Sequence, residues 1–172
     1  MSIVRPEVPG VASAAADAFA RSRILALRAT RAEAAWSARL SVVRCSDINT
    51  ACGTAQDATW WDLRKDEHLH HDHGISLDVA LALLAAQTRE AVVGVWARRG
   101  RPEPAQSDIE WLVALGHAAA FTGGAPPPLL VITRWGWRLL PQGTSRAWQR
   151  LRHRARPHDH VCTGSLVCMC AS

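Results

Sequence analysis

A mostly helical domain, with an α+β arrangement as the alternative, is the fold class that the sequence predicts, on three observations. Residues 11–43 run without glycine or proline and are rich in alanine, the best helix former. Segments 77–98 and 108–121 carry apolar residues at helical spacing between recognisable start and stop signals. Only Leu129 to Trp137 reads as a good strand. The expected architecture is three to four helices with one short strand around 129–137. It forms a single domain over 1–156, followed by a disordered tail over 157–172.

Each element has its own signal. In 11–43, Leu25, Ala29, Ala32, Trp36, Leu40 and Val43 recur every three or four residues, the spacing of one helix face. This is one long helix or two broken near Thr30, although the β-branched Val42 and Val43 also suit a short strand over 40–45. Residues 46–59 read as a loop and Asp66 to His73 as a polar connector. Ser76 is placed to cap a helix from Leu77 to about Arg98, closed by Gly100 and Pro102. Ser107 and Glu110 have capping-box spacing and start a helix that ends at Gly123 and Gly124. Its core side is expected to be Ile109, Leu112, Val113 and Ala119. Ser145 to Arg156 reads as a short basic helix with Trp148, Leu151 and Ala155 on one face. The predicted core comprises Trp36, Leu81, Leu84, Val92, Trp96 and Leu112.

Composition narrows the function classes. With 172 residues and 48% apolar content the chain suits one globular domain. No apolar run reaches the roughly 18 to 20 residues that span a bilayer, and Met1 to Gly10 lacks the apolar stretch of a secretory signal. Five cysteines, Cys45, Cys52, Cys162, Cys168 and Cys170, are an odd and scattered set, so a reducing cytoplasm is expected. The net charge of +5 is concentrated. Residues 1–110 net −1, whereas 111–172 hold seven arginines and one acid and net +6. A basic third on a neutral body points to a polyanionic partner. One lysine beside 19 arginines and 30 alanines reflects a compositional bias, so arginine is not read as chosen over lysine.

Four constellations could carry chemistry. The run His68, His70, His71, Asp72 and His73 offers clustered imidazoles with a carboxylate, a zinc-type donor set. Its H-x-H-x-D-H spacing resembles the metal-binding motif of the metallo-β-lactamase family. That resemblance implies one or two zinc ions activating water for hydrolysis, on a sandwich of alternating strands. His158, His160 and Cys162, with Cys168 and Cys170, form a second soft-metal donor set in the tail. Arg99-Gly-Arg-Pro102 resembles the core of an AT-hook, which implies arginines in a narrow minor groove; a basic helix end before glycine and proline is the preferred account of it. Finally, Arg134 to Arg156 interleaves arginine with Trp135, Trp137 and Trp148, a combination that neutralises phosphates and stacks on bases.

The expected function is a nucleic-acid-binding accessory or regulatory protein without catalysis, most simply for DNA. Its phosphate contacts come from Arg146, Arg150, Arg152, Arg154 and Arg156 on the basic C-terminal helix. The alternatives are a metal-binding protein or zinc-dependent hydrolase built on His68–His73, and an assembly protein oligomerising through helix 11–43.

Overall fold

The computed structural model describes residues 13–29, 38–49, 60–62, 73–87 and 91–148. The tail 157–172 and the metal donors proposed within it lie outside these residues. The fold is α+β and not mostly helical. Helices α1 (Ser13–Ala29), α2 (Cys45–Asn49), α3 (His73–Ala85) and α4 (Gln106–Phe121) pack on a mixed sheet. The six strands among the described residues are β1 (Arg39–Arg44), β2 (Trp60–Asp62), β3 (Val92–Ala97), β4 (Leu129–Thr133), β5 (Gly136–Leu140) and β6 (Ser145–Ala147). Their order is β2-β1-β3-β4-β5-β6. Only β3 and β4 run parallel, with α4 as the crossover between them. This single sheet between helices also departs from the β-sandwich that the metallo-β-lactamase resemblance implies.

Alternation along each strand divides the core into two layers. Val43, Val93, Val95, Leu130, Ile132, Trp137 and Leu139 face α1, which contributes Ala16, Phe19, Ala20 and Ile24. Leu40, Val42, Trp96, Leu129, Val131 and Leu140 face α3 and α4, which contribute Val79, Ala80, Leu83, Trp111, Ala114, Leu115 and Ala118. A strand covered on both faces has no polar side, so β3 and β4 read as continuous apolar runs.

That physics overturns three expected helices. The segment 11–43 is a helix to Ala29 and then a strand from Arg39; Trp36 lies outside the described residues. Its buried helical face is Ala16, Phe19, Ala20 and Ile24, which precedes the stripe expected from Leu25 onward. The oligomer seam over 11–43 is lost with it, because α1 buries its apolar face in its own core and β1 is an interior strand. The segment 77–98 is α3 followed by β3; Val92, Val93 and Val95 put β-branched side chains on both faces, and the strand takes them. Trp96 is buried as expected, while Leu81, Leu84, Val92 and Leu112 are half-buried against the same layer. The basic helix expected from Ser145 begins instead as β6, paired to β5 through Trp137 and Arg146.

The single strand expected over 129–137 is a hairpin. β4 and β5 pair antiparallel from Leu129 with Leu140 to Thr133 with Gly136, joined by Arg134 and Trp135 alone. The Thr133 hydroxyl donates to the Gly136 carbonyl at 3.2 Å and accepts from the Trp135 N–H at 3.3 Å, which closes the turn. Gly136 is required for a different reason. A Cβ there would sit 2.2 Å from the Arg146 carbonyl oxygen and 2.9 Å from Ala147 Cα, so only glycine lets β6 pair this closely.

Helix α4 starts at Gln106, with Asp108 accepting the Ala105 N–H at 2.9 Å, so the cap falls two residues before the expected Ser107–Glu110 box. The buried face also differs from the expected one and shares only Ala119 with it. Trp111, Ala114, Leu115, Ala118 and Ala119 are inside, whereas Ile109 and Val113 are 44% and 41% exposed.

Candidate nucleic-acid interface

The site is built from the loop after β3 and the β4–β5 turn. Arg98 follows β3 and turns inward. Its Nε donates to Asp108 Oδ1 at 2.6 Å and its Nη2 to Oδ2 at 2.7 Å. Nη1 donates to the carbonyls of Arg99 and Arg101, and Nη2 also to that of Glu103. A guanidinium carries five N–H donors, and this one engages all five. Arg138 Nε adds a bond to the Pro102 carbonyl at 2.9 Å. The loop 99–103 is therefore held in one shape by two buried or half-buried arginines. It follows a strand, which overturns the helix ending expected there. The AT-hook reading is also not supported, because Arg98 and Pro102 are buried and the loop carbonyls are bonded inward.

Against this loop lies an open groove of about 500 Å³, lined by Arg101, Pro102, Glu103, Trp135, Ala147 and Trp148. Trp135 is 43% exposed at the hairpin tip, with the Arg134 guanidinium 5.6 Å from its ring centroid, within cation–π range. Its carbonyl accepts the Trp148 N–H at 2.8 Å, which ties the end of β6 to the turn. Trp148 is half-buried, and its indole N–H has no hydrogen-bond partner. The groove thus offers two indoles, an exposed arginine at Arg101 and a second arginine stacked at the tip.

The expected site residues are distributed unevenly. Arg146 lies on β6 and on no helix. Its Nη1 pairs with Asp17 Oδ2 at 2.8 Å, so its charge is matched by α1. Arg150, Arg152, Arg154 and Arg156 lie outside the described residues. Trp137, expected as a stacking partner or as core, is core: it is 1% exposed and donates its indole N–H to Asp17 Oδ1 at 2.8 Å. Among the described residues, Trp135 and Trp148 are the aromatic residues that line the groove. Sequence spacing put Trp135 on one strand face with Trp137, and the two-residue turn separates them.

Of the proposed metal donors, His68, His70, His71 and Asp72 lie outside the described residues. His73 is exposed at the first position of α3. Its ring meets that of His117 on α4 edge-on, with centroids 5.4 Å apart. Among the described residues no three metal-capable side chains come together. Because the pair lies on the surface, replacing both imidazoles by alanine should change stability by no more than about 0.5 kcal/mol. A fall of several degrees in Tm would make the pair a structural link between the helices. Cys45 is buried and its thiol is pushed up by burial. A nucleophilic role does not fit that environment.

No helix among the described residues is long and apolar enough to cross a membrane. Comparison with protein families, with curated proteins and with solved structures finds no match to this chain.

Proposed function

We propose that the protein is a nucleic-acid-binding accessory module without catalysis, and that it holds single-stranded nucleic acid in the groove between loop 99–103 and the hairpin tip. The observation that carries this reading is the exposed Trp135 beside Arg134, across the groove from Arg101. A half-exposed indole with arginines on both sides suits a nucleobase and its phosphates. Trp148 also lines the groove, and the most basic part of the sequence follows it. A rigid loop supports the reading further, because a wall that is already ordered loses little entropy on binding. Glu103 on the same wall would disfavour a phosphate close by, which favours a path along the Arg101 and Arg134 sides.

The test is fluorescence anisotropy with a labelled single-stranded oligonucleotide across a salt series. Trp135→Ala should weaken binding by about 1 to 3 kcal/mol, the usual value of one stacked base. Replacing Arg101 and Arg134 together by glutamine should flatten the salt dependence by about 0.7 per lost contact. Arg146→Gln should change it little, because Asp17 already neutralises that guanidinium. Equal binding by wild type and Trp135→Ala, or no binding at low salt, would overturn the proposal and leave the +6 C-terminal third as a solubility feature.

A further inference from the structure

The groove between loop 99–103 and the hairpin tip contains one residue that phosphate binding does not account for. Glu103 lines it together with Arg101, Trp135 and Trp148, and is the one acid among the described residues that do so. The residue is exposed, and its carboxylate makes no hydrogen bond or ion pair with the described residues. Its backbone is held, because its carbonyl accepts from Arg98 Nη2 at 2.8 Å, in the network that also joins Arg98 to Asp108. The wall of the groove therefore carries a carboxylate whose acceptors are unused. Beside a phosphate such a group repels. Its place in the groove suits a part of the ligand that donates hydrogen bonds.

We infer that Glu103 makes the groove selective for guanine: its carboxylate accepts two hydrogen bonds from the Watson–Crick edge of an unpaired guanine, Trp135 stacks on the base, and Arg101 takes a neighbouring phosphate. This rests on the nucleic-acid reading of the same groove and names the base that it holds. Donor matching selects the base. An ionised carboxylate only accepts, through two oxygens side by side. Guanine alone among the bases presents two adjacent donors on that edge, N1–H and the N2 amino group. Adenine and cytosine each set an amino donor beside a ring-nitrogen acceptor, and thymine or uracil sets one N–H between two carbonyls. Each of these brings an acceptor against the carboxylate. In a single strand the edge is open to a side chain, and stacking on an indole holds any base without distinguishing it. Trp135, 43% exposed, supplies the stacking surface and Glu103 the discrimination. Arg101, exposed on the same loop, supplies the cation. At about 500 Å³ the groove lies within the range of about 300 to 1,000 Å³ usual for small-ligand clefts, so it has room for one nucleotide.

The experiment uses the full chain and fluorescence anisotropy at low salt, with labelled thymidine tracts that carry one guanine, inosine, adenine or cytosine at the same central position. The guanine strand should bind about 5- to 150-fold more tightly than the adenine, cytosine or plain strands, the discrimination of one bidentate base contact. Inosine lacks the N2 amino group and should fall between guanine and adenine. Glu103→Gln turns one acceptor into a donor and keeps the backbone carbonyl that Arg98 engages, so it should remove the preference by weakening the guanine strand. Trp135→Ala should weaken every strand and keep their order. Equal affinity for the guanine and adenine strands, equal affinity for guanine and inosine, or a guanine preference unchanged in Glu103→Gln would each overturn the inference and leave the nucleic-acid reading standing. Failure of every strand to bind would overturn both. If Glu103→Gln fails to fold, the four bases compared on the wild type still decide it.

Discussion

Asp108→Ala should destabilise the protein by about 3 to 5 kcal/mol, because it strands a buried cation. Asp108 is fully buried and Arg98 is 9% exposed. The carboxylate accepts two bonds from the guanidinium and one from the Ala105 N–H, so the substitution removes an ion pair and a helix cap together. Replacing both partners by apolar residues, often a neutral exchange for a buried pair, should fail here. The carbonyls of Arg99, Arg101 and Glu103 would lose the donors that satisfy them. Asp108→Asn should be milder, since the amide oxygen can still accept. Urea denaturation measures all three. A midpoint unchanged in Asp108→Ala would mean that the loop reorganises and that the groove wall is not rigid.

Trp137→Ala should cost about 3 to 5 kcal/mol, the usual loss for emptying a buried aromatic site. Trp137 is 1% exposed, and its indole N–H reaches Asp17 at 2.8 Å, so it joins β5 to α1. A pair of phenylalanine substitutions separates packing from hydrogen bonding. Trp137→Phe gives up a bond to a carboxylate, worth about 1.5 to 3 kcal/mol. Trp96→Phe gives up none, because the buried Trp96 indole N–H has no partner; it removes an unsatisfied donor and should be close to neutral. Equal losses at the two positions would show that volume alone governs both.

How far the fold was legible depends on the residue. Gly123 and Gly124 ended α4 as expected, and Trp96 is buried as expected, although that expectation rested on helical spacing and the residue lies on β3. The β3 strand was hidden because a strand buried on both faces has no alternation, and its apolar run continues the helical spacing of α3. The hairpin was hidden because Arg134 and Trp135 are not turn-forming residues; its geometry is set by the Thr133 hydroxyl and by Gly136. In the candidate groove, the arginine–tryptophan interleaving marks the segment that supplies Trp135 and Trp148. It could not tell Trp137 from Trp135, because that difference arises only at the turn. Arg98 and Asp108, ten residues apart, carried no local signal of being paired. Of the expected phosphate contacts, Arg146 is the one within the described residues, and its partner Asp17 lies 129 positions away.

That distance has a consequence for how the chain is made. The layer on one side of the sheet joins α1, the first of the described elements to be synthesised, to β5, 120 positions later, through Asp17 and Trp137. Translation at about 5 to 20 residues per second leaves α1 without this partner for roughly 6 to 24 seconds. During that interval Phe19 and Ile24 have no β5 to cover them, while α3, α4 and the β3–β4 pair, close in sequence, can already associate. The growing chain should therefore assemble its helical crossover first and close its N-terminal helix last. Ribosome-bound chains truncated before Gly136 should leave α1 sensitive to protease, and chains extended well past Trp148 should protect it.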